Sequence, residues 1–113
     1  MRHLRKKKIG KGKDHARKLV RALAASTIVY EKIQTTEARA QIARSLVEKL
    51  ITKGKKDDLH NKRMIYSELP VNAAKKVIEV LGPRYKTRAG GYTRIIRLGK
   101  AKDGMPKVQL ELV

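Results

Sequence analysis

Sixteen of the chain's nineteen net positive charges fall in two short stretches that cannot build a hydrophobic core, so the fold must come from what is left. Residues 1–21 carry ten Lys or Arg against the single acid Asp14, and residues 82–102 carry seven with no acid at all. Residues 22–81 between them hold eleven basic and seven acidic side chains together with the long apolar stripes. Charges of one sign at this density repel one another unless a polyanion neutralises them. Two basic blocks around a nearly balanced, amphipathic centre therefore point to nucleic acid as the partner.

At 113 residues the chain is long enough for one domain with a modest core. It has no Phe or Trp and only four Tyr, so the core must be built from Ile, Leu, Val and Ala, and the isolated chain is expected to be only marginally stable. The absence of Cys excludes disulfides, thiolate metal sites and cysteine nucleophiles. No apolar run approaches the roughly 18 residues of a membrane helix, so no membrane partner is expected. Residues 1–10 are charged but lack the apolar segment of a secretory signal, and the expected location is the cytoplasm.

Periodicity supplies the elements. Asp14 can cap a helix to about Ile28, with Ala16, Leu19, Val20, Leu23 and Ala24 on one face. Tyr30 to Thr35 alternates as a short strand with Ile33 inward. Thr35 or Thr36 can cap a second helix whose stripe is Ile42, Ala43, Leu46, Val47, Leu50 and Ile51, ended by Gly54. Asp57 is the expected cap of a third helix through Leu59, Met64 and Ile65, and Pro70 opens a fourth through Val71, Ala74, Val77, Ile78 and Leu81, with Gly82 as its C′ residue. Beyond Pro83 the period drops to 2. Thr93–Leu98 and Val108–Val113 read as strands joined by a turn over Lys100–Pro106. The expected fold is a single α+β domain of order α-β-α-α-α-β-β, helices on a small mixed or antiparallel sheet, occupying residues 14–113 behind a disordered basic extension at 1–13.

Two groups of residues are candidates for binding. In the extension, Arg2, His3, Arg5, Lys6, Lys7, Lys8, Lys11 and Lys13 alternate with glycines that let the backbone lie close to phosphates, and Arg17, Lys18 and Arg21 continue this charge onto the first helix. A solvated tail is the alternative. In the second block Arg84, Lys86, Arg88, Arg94 and Arg97 flank Gly90 and Gly91, whose N–H groups can form an anion nest. Tyr85 and Tyr92 are interleaved there and could stack on an unpaired base, or simply pack beneath the loop.

Catalysis finds no support. His3, His15 and His60 lack the spacing of a metal site, and Asp57-Asp58 reads as a helix cap rather than a magnesium ligand pair. Neither the glycine pair nor any other run has the Lys-Ser/Thr of a nucleotide-binding loop. Ser26, Ser45 and Ser67 have no base nearby in sequence. No metal, cofactor or small-molecule substrate is expected.

Longer strings narrow the partner. Met1-Arg2-His3, Thr35-Thr36 with Ala43-Arg44 and Glu48-x-Leu50-Ile51-Thr52, Asn61-Lys62-Arg63, above all Leu81-Gly82-Pro83-Arg84-Tyr85-Lys86-Thr87-Arg88-Ala89-Gly90-Gly91-Tyr92-Thr93-Arg94-Ile95, and then Leu110-Glu111-Leu112-Val113 occur in this order. Together they resemble the bacterial large-subunit ribosomal protein family seventeen across essentially the whole chain. Ala22 stands where that family often has Asn, and residues 99–107 depart from its usual Gly-Asp-x-Ala pattern. The resemblance implies a non-catalytic structural protein, monomeric when free. It would bind 23S ribosomal RNA near the outer rim of the peptide exit tunnel, beside neighbouring large-subunit ribosomal proteins. The rival from size and charge alone is a chromosomal DNA-compacting protein, which would need a dimer core and an intercalating wedge that the sequence does not offer.

Overall fold

A computed structural model describes residues 13–100 and 102–113. The expected basic extension, Lys13 excepted, lies outside them. Four helical segments and three strands follow in the expected order: α1 (Lys13–Tyr30), β1 (Lys32–Thr36), α2 (Glu37–Gly54), α3 (Leu59–Glu68), α4 (Val71–Lys76), β2 (Thr93–Lys100) and β3 (Pro106–Leu112). The α4 helix runs on through a π-helical stretch, Val77–Leu81, into a last turn at Gly82–Arg84. The sheet is antiparallel, in order β1-β3-β2.

Helix α1 is already helical at Lys13, the first described residue, and continues to Tyr30, two residues past the expected stop, with Ala24, Thr27 and Ile28 buried on its inner face. Asp14 thus sits in the first turn, where a carboxylate opposes the helix macrodipole, and is not the cap itself. Glu31 adopts φ 65, a left-handed residue that ends the helix and turns the chain into β1. Thr36 caps α2 as expected, its Oγ1 accepting from the Arg39 N–H at 3.4 Å. The cap of α3 is Asp58, not Asp57: its carboxylate accepts from the Asn61 N–H at 2.7 Å, while Asp57 pairs with Lys62 at 3.0 Å. The Asn61 hydrogen bonds hold the Asp58 carboxyl below its ordinary value.

Gly54 and Gly82 do not act as left-handed helix caps. A Cβ on Gly82 would stand 2.4 Å from the Gly54 carbonyl oxygen, and one on Gly54 would stand 2.6 Å from Val77 Cγ1. The two glycines let the end of α2 and the continuation of α4 touch backbone to backbone. The chain stays helical through Gly82 (φ −54) into Pro83. The wide π turn stands just ahead of Pro83, which has no N–H to carry the regular ladder forward.

Two adjoining clusters form the core. The larger joins Ala24 and Ile28 of α1, Val47, Leu50 and Ile51 of α2, Ile65 of α3, Ala73, Ala74, Val77 and Leu81 of α4 and its continuation, and Leu112. The smaller packs Val108 and Leu110 of β3 onto Ala40 and Ala43 of α2, with Leu23, Ile33 and Ile95 at its edge. The register places Ile33, Leu110 and Ile95 side by side on the inner face of the sheet, so Ile33 does point inward. On the outer face Lys32, Glu111 and Arg94 stand in a row, with Arg94 Nη2 and Glu111 Oε2 3.0 Å apart. A register shift between Arg97 and Gly99 marks a bulge in β2, and β2 and β3 together reach two residues farther toward the turn than the alternation predicts.

Candidate nucleic-acid interface

The second basic block is not a free strap. Residues 85–92 leave the last turn of Gly82–Arg84, cross the end of α2 and enter β2, and they are fixed from beneath at two points, one on α2 and one at its C-cap. The Glu48 carboxylate accepts from the backbone N–H groups of Tyr92 and Thr93, each at 3.2 Å, and from the Thr93 hydroxyl at 2.9 Å. About two turns farther along, the Lys55 ammonium donates to the Arg88 carbonyl oxygen and to the Tyr92 hydroxyl, the latter at 2.8 Å. Lys55 also lies 5.1 Å from the centre of the Tyr92 ring, and it draws the Tyr92 phenol below its ordinary range.

The two tyrosines are core residues, which corrects the stacking role considered for them. Tyr85 is 3% exposed and Tyr92 1% exposed, and their ring centres lie 5.1 Å apart at 50°. The Tyr85 hydroxyl donates to the Val113 carbonyl oxygen at 2.7 Å, and the Val113 N–H donates back to the Tyr92 carbonyl at 2.9 Å. A phenol engaged in this way has no face left for a base. In a chain without Phe or Trp they supply the large rings that the aliphatic core lacks.

What remains outward on the loop is Lys86, Arg88, Gly90 and Gly91, all exposed. Arg88 Nε donates to the Gly90 carbonyl at 3.2 Å, which turns its guanidinium back over the glycine pair. Gly91 has φ 63 and nothing within 4 Å of the place a Cβ would take, so it is the left-handed backbone and not crowding that calls for glycine there. The other arginines of this block are already partnered. Arg84 grips Glu31 through both terminal guanidinium nitrogens, Nη1 and Nη2, with Lys76 adding an ion pair at 3.1 Å, and these contacts hold the Glu31 carboxyl down at about 2 and push Arg84 further up. Arg94 pairs with Glu111, and Arg97 reaches Glu37 at 3.6 Å.

On α1, Arg17 and Lys18 are exposed and make no ion pair among the described residues. Arg21 is tied to Glu68 of α3 at 2.9 Å. No hydrogen bond or ion pair joins Arg17 or Lys18 to the loop. Arg2, His3, Arg5, Lys6, Lys7, Lys8 and Lys11 lie outside the described residues. Glu48 and Lys55, which shape the loop, lie more than thirty residues from it in sequence, and no local pattern singles them out. Among the described residues no group of His, Asp and Glu could hold a metal ion.

The framework just described has known relatives. A family model described as Ribosomal protein L17 matches residues 19–113, from the second turn of α1 to the end of β3. The chain belongs to the ribosomal protein L17 family. It is 44% identical over 109 residues to the large ribosomal subunit protein bL17 of Thermoanaerobacter sp. (strain X514), covering 95% of this chain and 97% of that protein. It is 39% identical to the protein of the same name from Listeria welshimeri, covering 95% and 98%. The L17 match takes in Glu48, Lys55 and the whole glycine loop, so the residues that hold the loop and the loop itself fall within one family framework.

Proposed function

We propose that this chain is a non-catalytic structural constituent of the large ribosomal subunit that binds 23S ribosomal RNA near the outer rim of the peptide exit tunnel. The observation that carries the reading is the L17 match over residues 19–113. The basic surface supports it. Arg2, His3, Arg5, Lys6, Lys7, Lys8, Lys11 and Lys13 form a binding arm, continued by Arg17 and Lys18 on α1. Lys86, Arg88, Gly90 and Gly91 form a second, preshaped contact. Arg21, Arg84, Arg94 and Arg97 contribute field more than direct contact, because acids of the fold already engage them. Affinity then comes mainly from counterion release, and specificity from RNA shape matched to a rigid loop. The working division is an arm at 1–13 and one folded domain at 14–113, monomeric when free, partnered by RNA and neighbouring subunit proteins on the cytoplasmic ribosome.

Gentle gradient fractionation tests this. The chain is expected to sediment with large subunits and to leave them only at high salt. Recovery with the nucleoid instead would favour the DNA-compacting alternative and refute the ribosomal reading.

A further inference from the structure

The close crossing of Gly54 and Gly82 leaves an open cleft of about 240 Å³ beside it. Four lysines line it from three parts of the chain: Lys55 and Lys56 after α2, Lys62 from α3, and Lys86 from the loop, with Asp57 as the one acid. Lys55 is committed inward to Arg88 and Tyr92. Lys62 holds Asp57, whose side chain is 93% exposed and so can yield to a stronger anion. Lys56 and Lys86 have no side-chain partner among the described residues. The end of α2 adds a partial negative charge of about half a unit. That and Asp57 together fall well short of the ammonium groups, so the cleft stays electropositive.

We propose that this cleft is a binding site for the RNA sugar–phosphate backbone, distinct from the arm and meeting the loop contact only at Lys86. Lys56, Lys62 and Lys86 surround the phosphate, and Ile78 and Pro83 offer an apolar wall to the ribose. The volume falls short of the roughly 300 Å³ at which small-molecule pockets begin, which suits one backbone unit rather than a cofactor. The floor is the close backbone crossing of Gly54 and Gly82, where a Cβ on either residue would clash. The proposal rests on the RNA-binding reading above, and it assigns a role to Lys56 and Lys62 from the centre of the chain, where net charge is low.

The test compares two triple variants of the full chain for binding to 23S ribosomal RNA between 50 mM and 1 M salt. One is Lys56→Gln, Lys62→Gln, Lys86→Gln; the charge-matched control is Lys32→Gln, Lys49→Gln, Lys75→Gln. At about 0.7 of a slope unit per phosphate contact, the cleft variant is expected to bind with a salt slope about two units shallower, and more than tenfold more weakly at 0.1 M. The control is expected to stay within about threefold of the parent. If the cleft variant melts early by circular dichroism, single Lys56→Gln and Lys62→Gln substitutions, both outside the loop contact, carry the test at about fivefold each. Equal losses in both triples, or an unchanged cleft variant, would overturn the cleft while leaving RNA binding intact. A parent chain that does not bind the RNA would remove both readings.

Discussion

The two basic blocks look alike when charges are counted and differ once the chain is folded. On α1, Arg17 and Lys18 stand in solvent and no described contact uses them. In the second block Arg84, Arg94 and Arg97 are paired with Glu31, Glu111 and Glu37, and both tyrosines are buried. Formal charge therefore overstates what the second block can offer a polyanion, and understates its part in the fold. A region can be basic because it binds, or because the acids it neutralises sit on other elements. In the second block the paired arginines serve the fold, and the share proposed for binding narrows to Lys86, Arg88 and the glycine turn.

Substitutions that separate folding from binding sharpen this contrast. Tyr92→Ala should cost most, about 3–5 kcal/mol by denaturant unfolding, because it empties a buried ring site. A variant that keeps its stability and loses only RNA affinity would restore Tyr92 to the interface. Glu48→Ala follows, at roughly 2–3 kcal/mol, since it leaves two backbone N–H groups and a hydroxyl without their charged acceptor. It should also weaken RNA binding by loosening the loop, and tight binding by this variant would show that the loop does not need its preset shape.

Acid should release the Glu31 clamp. Its carboxyl sits at about 2 in the fold against an ordinary 4.5, so the clamp's contribution is complete above 4.5 and disappears as pH falls through 2. With Glu31 42% exposed, solvent screens the effect and the expected change is small. The parent should lose stability over that window more steeply than Glu31→Gln, and parallel curves would remove the clamp from the account. Smallest for the fold is Arg17→Gln with Lys18→Gln, which should change stability by less than about 0.5 kcal/mol. The same pair should make the RNA salt slope shallower by about 1.4–1.8 units. A large loss of stability instead would mean that α1 needs these cations for its own packing.

Much of the fold was legible along the chain. The stripe Val47, Leu50 and Ile51, the cap at Thr36 and the period change after Pro83 are local signals, and the element order follows from them. Element ends were less so. Asp58 displaced Asp57 as a cap by one residue, and the left-handed turn at Glu31 moved the start of β1, because caps depend on backbone angles that several neighbouring residues could adopt. The candidate interface was legible as charge but not as geometry.

The sequence by itself determined the partner class, the order of elements and an aliphatic core, since charge density and apolar period are properties of neighbouring residues. Tertiary structure alone decided which cations stay available, that Tyr85 and Tyr92 face inward, that Gly54 and Gly82 serve contact rather than turning, and that Lys56, Lys62 and Lys86 share a cleft. Each of these depends on residues separated by tens of positions meeting within a few ångströms, and pairing at that range leaves no period or local motif in the chain.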